Sequence, residues 1–426
     1  MPVRRRQLRA ASFLFPPMKK VFIQTYGCQM NLADSEEMFS HLAARGYQRT
    51  DELEQADAVL INTCTVRDHA EHKAVSFLGR LAAWKRERPS RRIIFAGCAA
   101  ERLGSALQKK YPFLDILSGA KSIDHFADTL DESGLFGPQA DSGEVLPAGL
   151  TGYVTIMRGC NFACTYCIVP RVRGPVVCLP QAGILEEVKR KVTAGAKEIM
   201  LLGQTVNAYQ DGAVSFAQLL NEVSAIPGVE RVGFTSPHPI YFTSDFLAAI
   251  APNPKIARHI HLPVQSGSTR VLQEMKRGYT RELLVEKLKA LQAAGFVIST
   301  DLIVGFPTET EEDFQQTLSL VDEVGFSTAY CYKYSPRQGT PAAQMPQLAQ
   351  NVLEQRLDIL LNRVKRLAEV AYQAQVGTVQ TVLFETPDKG RSSQGFWVRA
   401  ARPYPVGSVV NLPIEKAAGT LLIARE

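Results

Sequence analysis

Residues 152–170 read GYVTIMRGCNFACTYCIVP, an apolar, β-branched run that breaks at Gly159 into three cysteines, Cys160, Cys164 and Cys167, within eight positions. The run before the glycine reads as a buried strand, and comparable runs recur further on: EIMLLGQTV, RVGFTS, HIHLPVQ, VISTDLIVGF and TAYCYKYSP. Between them lie helical stretches, ILEEVKRKVTAGA, FAQLLNEVSAI, STRVLQEMKRG, TRELLVEKLKALQAAG and EEDFQQTLSLVDEVG. Successive βα units of this kind predict a partial (β/α)6 barrel, two units short of closure and open on one side toward a large substrate. Catalytic groups of such barrels gather at the carboxyl ends of the strands. Gln204 and Asn207, Ser236 and His238, Gln265, Asp301, and Ser335 with Arg337 stand there.

Working back toward the amino terminus, residues 19–132 show the same alternation in a shorter form. VFIQTYGC, AVLINTC and IIFAGC read as parallel strands, followed by helices such as SEEMFSHLAARG and HAEHKAVSFLGRLAAWKR, which predicts an open parallel α/β sheet. Each strand finishes on a cysteine, Cys28, Cys64 or Cys98, spaced by 36 and 34 residues, about one βα repeat. A parallel sheet puts the carboxyl ends of its strands on one edge, the edge that binds ligands, so the three thiols are expected to converge. The plain alternative is three separately buried small side chains. Their shared position in the repeat favours a second metal site.

Residues 133–150, rich in Gly, Pro and Ser, read as a linker, and 346–376 as a long helix carrying Arg356, Arg363, Lys365 and Arg366. From Gly377 the chain turns strand-like, in the pattern of a small all-β barrel. Phe384, Phe396, Trp397, Arg391 and Arg399 suit base stacking and phosphate contact there, and the aromatics suit core packing equally well. The chain therefore divides at 1–18, 19–142, 143–376 and 377–426.

With 426 residues, 46% of them apolar, the sequence can bury a large core, and no apolar run approaches the ~18 residues of a membrane span. The net charge of +6 permits a nucleic-acid partner without demonstrating one. Arg4, Arg5, Arg6 and Arg9 give the first stretch the look of a targeting leader, but the folded pattern starts at Met18, which reads as the initiator. Nothing points to export into an oxidising compartment, so the eight cysteines are read as metal ligands or buried thiols of a cytoplasmic protein.

Three thiolates on one loop can hold three corners of a 4Fe-4S cluster and leave the fourth iron open. A structural zinc needs a fourth protein ligand, and none is near in sequence. The spacing Cys-x3-Cys-x2-Cys after the first strand of a βα barrel, with Tyr166 before the last cysteine, resembles the signature of radical S-adenosylmethionine (SAM) enzymes. That resemblance implies that SAM chelates the open iron and is cleaved by one electron to a deoxyadenosyl radical. It implies SAM contacts at Tyr166, Gln204, Asn207, Gln265 and Asp301.

The resemblance extends along the chain. QTYGCQMNLADSEEM, INTCTVRDHAEHKA, AGCAAER, RGCNFACTYCIVP, LLGQTVNAY, HLPVQSGSTRVLQEMKRGYT, DLIVGFPTET and YSPRQGTPAA are similar, in order and spacing, to the methylthiotransferase family and above all to its tRNA-modifying branch. It implies a second 4Fe-4S cluster on Cys28, Cys64 and Cys98, and a TRAM-type RNA-binding barrel at 377–426. The implied substrate is the anticodon loop of tRNA, where methylthio replaces hydrogen at C2 of an isopentenyl-modified adenosine. Two SAM molecules, an electron donor such as flavodoxin or ferredoxin, and a sulfur source would take part. A threonylcarbamoyl-modified adenosine and a ribosomal-protein aspartate are the alternative substrates within the family. An RNA-binding protein merely stabilised by clusters is the alternative outside enzymes. The sequence departs from the family at Pro175-Val176-Val177-Cys178-Leu179-Pro180, where charged residues and Ser-Arg-Pro are usual, which bears on substrate selection.

Overall fold

The computed structural model describes residues 18–66, 68–139 and 149–425, so the arginine-rich leader and the middle of the linker lie outside the described residues. The chain groups into two compact units, Met1–Gly27 with Asp34–Gly143, and Cys28–Ala33 with Glu144–Glu426.

In the first unit β1 (Lys19–Tyr26), β2 (Tyr47–Thr50), β3 (Ala58–Thr63), β4 (Arg92–Gly97) and β5 (Ile116–Gly119) form one parallel sheet in the order β2-β1-β3-β4-β5. The helices are α1 (Gln29–Ala43, its first turn grouping with the second unit), α2 (Asp68–Glu87), α3 (Cys98–Leu103), α4 (Ser105–Lys110) and α5 (Phe126–Ser133). Every residue of β3 is buried, because helices cover both faces of the sheet. Val59, Ile61, Ile93 and Phe95 pack on Phe77, Leu78, Leu81 and Trp84 of α2, while Leu60, Ile94 and Ala96 pack on Met38, Leu42, Phe126 and Leu130. A strand covered on both faces reads as a continuous apolar run rather than an alternating one, which is why AVLIN was legible. Two strands lie beyond the expected three. β2 is a polar edge segment, Tyr-Gln-Arg-Thr, and β5 is only four residues long, so neither carries a periodic signal.

The second unit holds β6 (Thr151–Thr155), a small hairpin of β7 (Met157–Arg158) and β8 (Val177–Cys178) around α6 (Val169–Arg173), then α7 (Gln181–Thr193) and β9 (Glu198–Leu202). A second hairpin, β10 (Gln210–Asp211) with β11 (Val214–Ser215), precedes α8 (Phe216–Ala225), β12 (Arg231–Phe234) and α9 (Ser244–Ile250). Next come β13 (His259–His261), α10 (Thr269–Glu274), α11 (Arg281–Ala293), β14 (Val297–Val304), α12 (Glu311–Val324) and β15 (Thr328–Lys333). The six long-range strands form two parallel sheets, β12-β9-β6 and β13-β14-β15, and Val232 of β12 is bridged to Ile256, just ahead of β13. Among the described residues β15 pairs only with β14 and β6 only with β9, so the barrel is open between them.

The long helix α13 (Gln350–Gln373) leads into a closed barrel of β16 (Val379–Phe384), β17 (Lys389–Ser392), β18 (Trp397–Arg399), β19 (Val409–Ala417) and β20 (Leu422–Ala424). Tyr372 of α13 belongs to the core of this small barrel, stacked edge-on to Phe396 and accepting from the Trp397 N–H. Buried Arg231 pairs with Glu198 at 2.6 Å and also donates to the carbonyls of Arg391 and Ser392, while the Arg258 N–H donates to Ser393. The small barrel is thus fixed to the amino ends of β9, β12 and β13.

Candidate active site

The cysteine loop begins where Gly159 adopts φ +78°, and a Cβ there would sit 1.9 Å from the Pro175 carbonyl oxygen. Only glycine permits that approach, which lets the Cys160 N–H reach the Gly174 carbonyl at 3.1 Å and closes the base of the loop. Further along, Thr165 anchors the loop from three sides: its N–H to Met275, its hydroxyl to Glu274, and its carbonyl to the Ala342 N–H. The Cys167 N–H donates to the Cys164 carbonyl at 3.1 Å, and α6 starts directly after.

Arg277 stands behind the loop. It is buried, and its Nη1 donates to Cys164 Sγ at 3.5 Å and to Tyr166 Oη at 3.4 Å, its Nε to Tyr279 Oη at 3.0 Å, and its Nη2 to the Pro263 carbonyl at 3.1 Å. An arginine stays charged in such a place and sets a positive charge beside the Cys164 sulfur. Burial pushes the Cys167 thiol up to about 12, and the neighbouring Cys164 and Cys160 thiols add to the rise against the lowering contact of the Val169 N–H. Phe162 stacks on His238 at 4.2 Å and 15°, and His238 meets Tyr279 edge-on at 5.4 Å. Phe162, His238, Tyr279 and Arg277 therefore make one continuous wall behind Cys164.

The residues expected at the strand ends take different parts. Gln204 directs Oε1 into a buried position without a protein hydrogen-bond partner among the described residues, as a ligand-binding amide would. Asn207 is a brace instead: its Nδ2 donates to the His238 carbonyl at 2.9 Å and its Oδ1 accepts the His238 N–H at 2.8 Å. Gln265 sits at φ +75° and bridges strands through its backbone, to the Asp301 carbonyl and the Ile303 N–H. Asp301 contacts His261 Nε2 at 3.2 Å, and Tyr166 is held by Arg277. Ser236 also has positive φ, +57°, while Ser335 and Arg337 follow β15. Arg277, Tyr279, Phe162 and His261 were not singled out from the sequence. The signal was available only in their place within the stretches HLPVQSGSTRVLQEMKRGYT and RGCNFACTYC.

In the first unit Tyr26, Thr63 and Gly97 are paired across β1, β3 and β4, so Cys64 and Cys98 both leave the same sheet edge. The strand order reverses between β1 and β3, the place where such sheets bind ligands. Gly97, at φ +91°, has Asn62 Oδ1 only 2.2 Å from where a Cβ would stand, which lets α3 begin at Cys98 without a spacer. Arg102 ties the two turns together, donating to Thr65 Oγ1 at 2.9 Å and pairing with Glu71, which itself accepts from the Thr65 hydroxyl at 2.5 Å. Cys64 Sγ accepts the Val66 N–H at 3.3 Å. Cys28, in the second unit, lies 3.5 Å from Asn31 Oδ1.

Residues 20–119 match an uncharacterised protein family, UPF0004, and residues 154–321 match the radical SAM superfamily. Curated relatives named tRNA-2-methylthio-N(6)-dimethylallyladenosine synthase align with nearly the whole chain. The Geobacter metallireducens protein is 39% identical over 93% of this chain and 96% of its own length. The Aquifex aeolicus protein is 38% identical over 94% and 97%, and the Sorangium cellulosum protein 41% over 89% and 84%. This chain belongs to that methylthiotransferase family. Among solved structures, a radical SAM methyltransferase, TsrM from Kitasatospora setae, superposes with a TM-score of 0.57 at 12% identity, covering 76% of this chain and 74% of that one. A cobalamin-dependent radical SAM enzyme, OxsB, gives 0.52 at 13% identity, covering 83% of this chain and 56% of that one. At such identities the likeness is one of fold.

Membership of the radical SAM superfamily implies a 4Fe-4S cluster and SAM. The donor set of the methylthiotransferase loop agrees: three soft thiols on eight residues, with a buried cation against one sulfur, suit an anionic iron–sulfur group. Among the described residues no three His, Cys, Asp or Glu side chains close on a point as a single ion requires. No helix among them is long and apolar enough to cross a membrane.

In the carboxyl-terminal barrel Phe384 and Phe396, expected as possible stacking groups, are core residues with 0% and 2% exposure. Trp397 is half-buried, with Lys389 Nζ 4.1 Å and the Arg391 guanidinium 5.4 Å from its ring centre. Arg391 is committed to Glu385 and Arg399 to Asp388.

Proposed function

We propose that this chain places a methylthio group on C2 of an N6-isopentenyl-adenosine beside the anticodon of tRNA. The carrying observation is the loop of Cys160, Cys164 and Cys167 at the carboxyl ends of a barrel open on one side, with Arg277 on Cys164, Cys160 Sγ 3.9 Å from the Thr205 hydroxyl, and the adjacent Gln204 oxygen buried without a partner among the described residues. An aromatic C–H is beyond ordinary acid–base chemistry at neutral pH, and when bound a 4Fe-4S cluster with SAM supplies the one-electron chemistry required. Cys160, Cys164 and Cys167 hold that cluster, Arg277 holds the Cys164 sulfur in place, and Gln204 accepts a hydrogen bond from SAM. Cys28, Cys64 and Cys98, following β1, β3 and β4, hold a second cluster that carries the sulfur. Residues 377–426 add tRNA affinity through Lys389 and Trp397, and an external reductant and sulfur source complete the reaction. The open side of the barrel admits a base splayed from a single-stranded loop.

The test is nucleoside mass spectrometry. Anaerobically reconstituted protein, given SAM, a reductant, sulfide and an isopentenyl-modified anticodon stem-loop, is expected to convert the target nucleoside to its methylthio form. Deoxyadenosine formation without any methylthio nucleoside overturns the reading.

A further inference from the structure

Strand register separates the two faces of the β13-β14-β15 sheet. Ile260, Ile298, Leu302 and Val304 join the core formed with Leu284, Leu288, Phe314 and Leu318 of the covering helices, and Ala329 and Cys331 pack against it. Side chains alternate along a strand, so His261, Ser299, Asp301, Tyr330 and Tyr332 stand on the opposite, inner face. The pairings His261↔Ser299 and Asp301↔Tyr330 set them side by side. Tyr330 lies on the strand bordering the opening of the barrel and is 53% exposed. Tyr332, two residues on along the same face, is 37% exposed, so two partly bare aromatic rings stand beside the opening of the barrel.

Its neighbours hold it. A carboxylate only accepts, so His261 Nε2–H donates to Asp301 at 3.2 Å, and Nδ1 shares a hydrogen bond with the Ser299 hydroxyl at 2.9 Å. Both ring nitrogens are engaged, so His261 is a fixed support. Its ring meets that of Tyr330 at 5.6 Å and 71°, an edge-to-face contact that sets the orientation of the tyrosine without covering its exposed half. Ile303, two residues beyond Asp301, packs against the same small cluster as Tyr166 of the cysteine loop, so this face leads toward the three thiols.

We infer that Tyr330 is the stacking platform for the purine base that is modified, and that His261, Asp301 and Ser299 are positioning residues for it. The inference rests on the proposed tRNA reading, since a platform of this kind takes a planar base swung out of a single strand. It gives Asp301 a role other than contact with SAM.

The experiment compares two stem-loops, one intact and one abasic at the target position, binding to wild type, Tyr330→Phe, Tyr330→Leu and Tyr330→Ala, with deoxyadenosine formation as the check on folding. Tyr330→Ala and Tyr330→Leu should lose about 10-fold in affinity for the intact RNA and nothing for the abasic one, with Tyr330→Phe close to wild type. His261→Ala should give a smaller loss of the same selectivity, and KM should rise while deoxyadenosine formation persists. Equal losses on both RNAs, no loss, or full rescue by leucine overturn the platform. Absence of methylthio product from wild type would instead remove the functional reading, and the comparison of intact with abasic RNA would still decide where the base stacks.

Discussion

At the scale of single residues the cysteines were legible and their supports were not. Three thiols at fixed spacing on one loop announce themselves in sequence, whereas Arg277 lies 113 positions from Cys164 and meets it only after the barrel has formed. Its guanidinium should stabilise the more negative, reduced state of a cluster held by Cys164. Arg277→Gln is expected to lower the midpoint potential of that cluster by about 60 mV, the one-electron equivalent of a ~1.4 kcal/mol charge-assisted hydrogen bond. Redox titration followed by electron paramagnetic resonance, at unchanged iron content, checks this, and an unaltered potential would reduce Arg277 to a packing role. His238 offers a different prediction. It is 4% exposed, both ring nitrogens lack hydrogen-bond partners among the described residues, and burial, then the Arg277 charge, lower its pKa from 6.5 to about 3. An unfolded chain takes up the proton below about pH 6.5 and the folded one does not, so stability falls as pH drops from about 6.5 toward 3. His238→Phe keeps the stack on Phe162 and removes the titration. Urea unfolding midpoints should therefore decline less steeply with acid in the variant than in wild type.

At the scale of elements, what could be read was what is buried on both faces or repeats with helical period. β3, β4 and β14 are rich in apolar β-branched residues because helices or the inner barrel cover them, while β2 and β17 escaped because Tyr-Gln-Arg-Thr and Lys-Gly-Arg-Ser carry no apolar pattern. Burial likewise sorted the tail aromatics, sending Phe384 and Phe396 inward and leaving Trp397 half-buried under its two cations. Deleting residues 377–426 would strip Tyr372 of its cover and leave buried Arg231 without the carbonyls it binds, so truncation would perturb the larger barrel as well. Surface substitution is the cleaner probe. Lys389→Ala with Trp397→Ala is expected to weaken tRNA binding about 10-fold and to lower the salt slope by about one, with SAM cleavage unchanged. Unchanged affinity at matched salt would leave the small barrel a structural cap.

At the scale of the whole molecule the sequence displayed two cysteine sets with one architecture: each set leaves the carboxyl ends of parallel strands, and each supplies three thiols rather than four. The labour they divide follows from where they stand. The barrel set meets the loop after β9, where Cys160 Sγ lies 3.9 Å from the Thr205 hydroxyl and the neighbouring Gln204 has a buried Oε1 without a protein partner among the described residues, while Cys64 and Cys98 follow the sheet edge of the other unit, with Arg102 and Glu71 bracing their turns. Reconstituted wild-type protein should hold about eight irons, and either single-cysteine variant about four. Cys164→Ala should abolish deoxyadenosine formation. Cys64→Ala should leave it measurable and eliminate the methylthio nucleoside. Loss of a cluster ligand can also unfold the region that the metal supports, so circular dichroism and iron content accompany each assay. If folded Cys64→Ala protein, with four irons, still makes the methylthio nucleoside at the wild-type rate, the amino-terminal cysteines do not carry the sulfur. If it makes neither product, the two sets are coupled and the barrel cannot generate its radical alone.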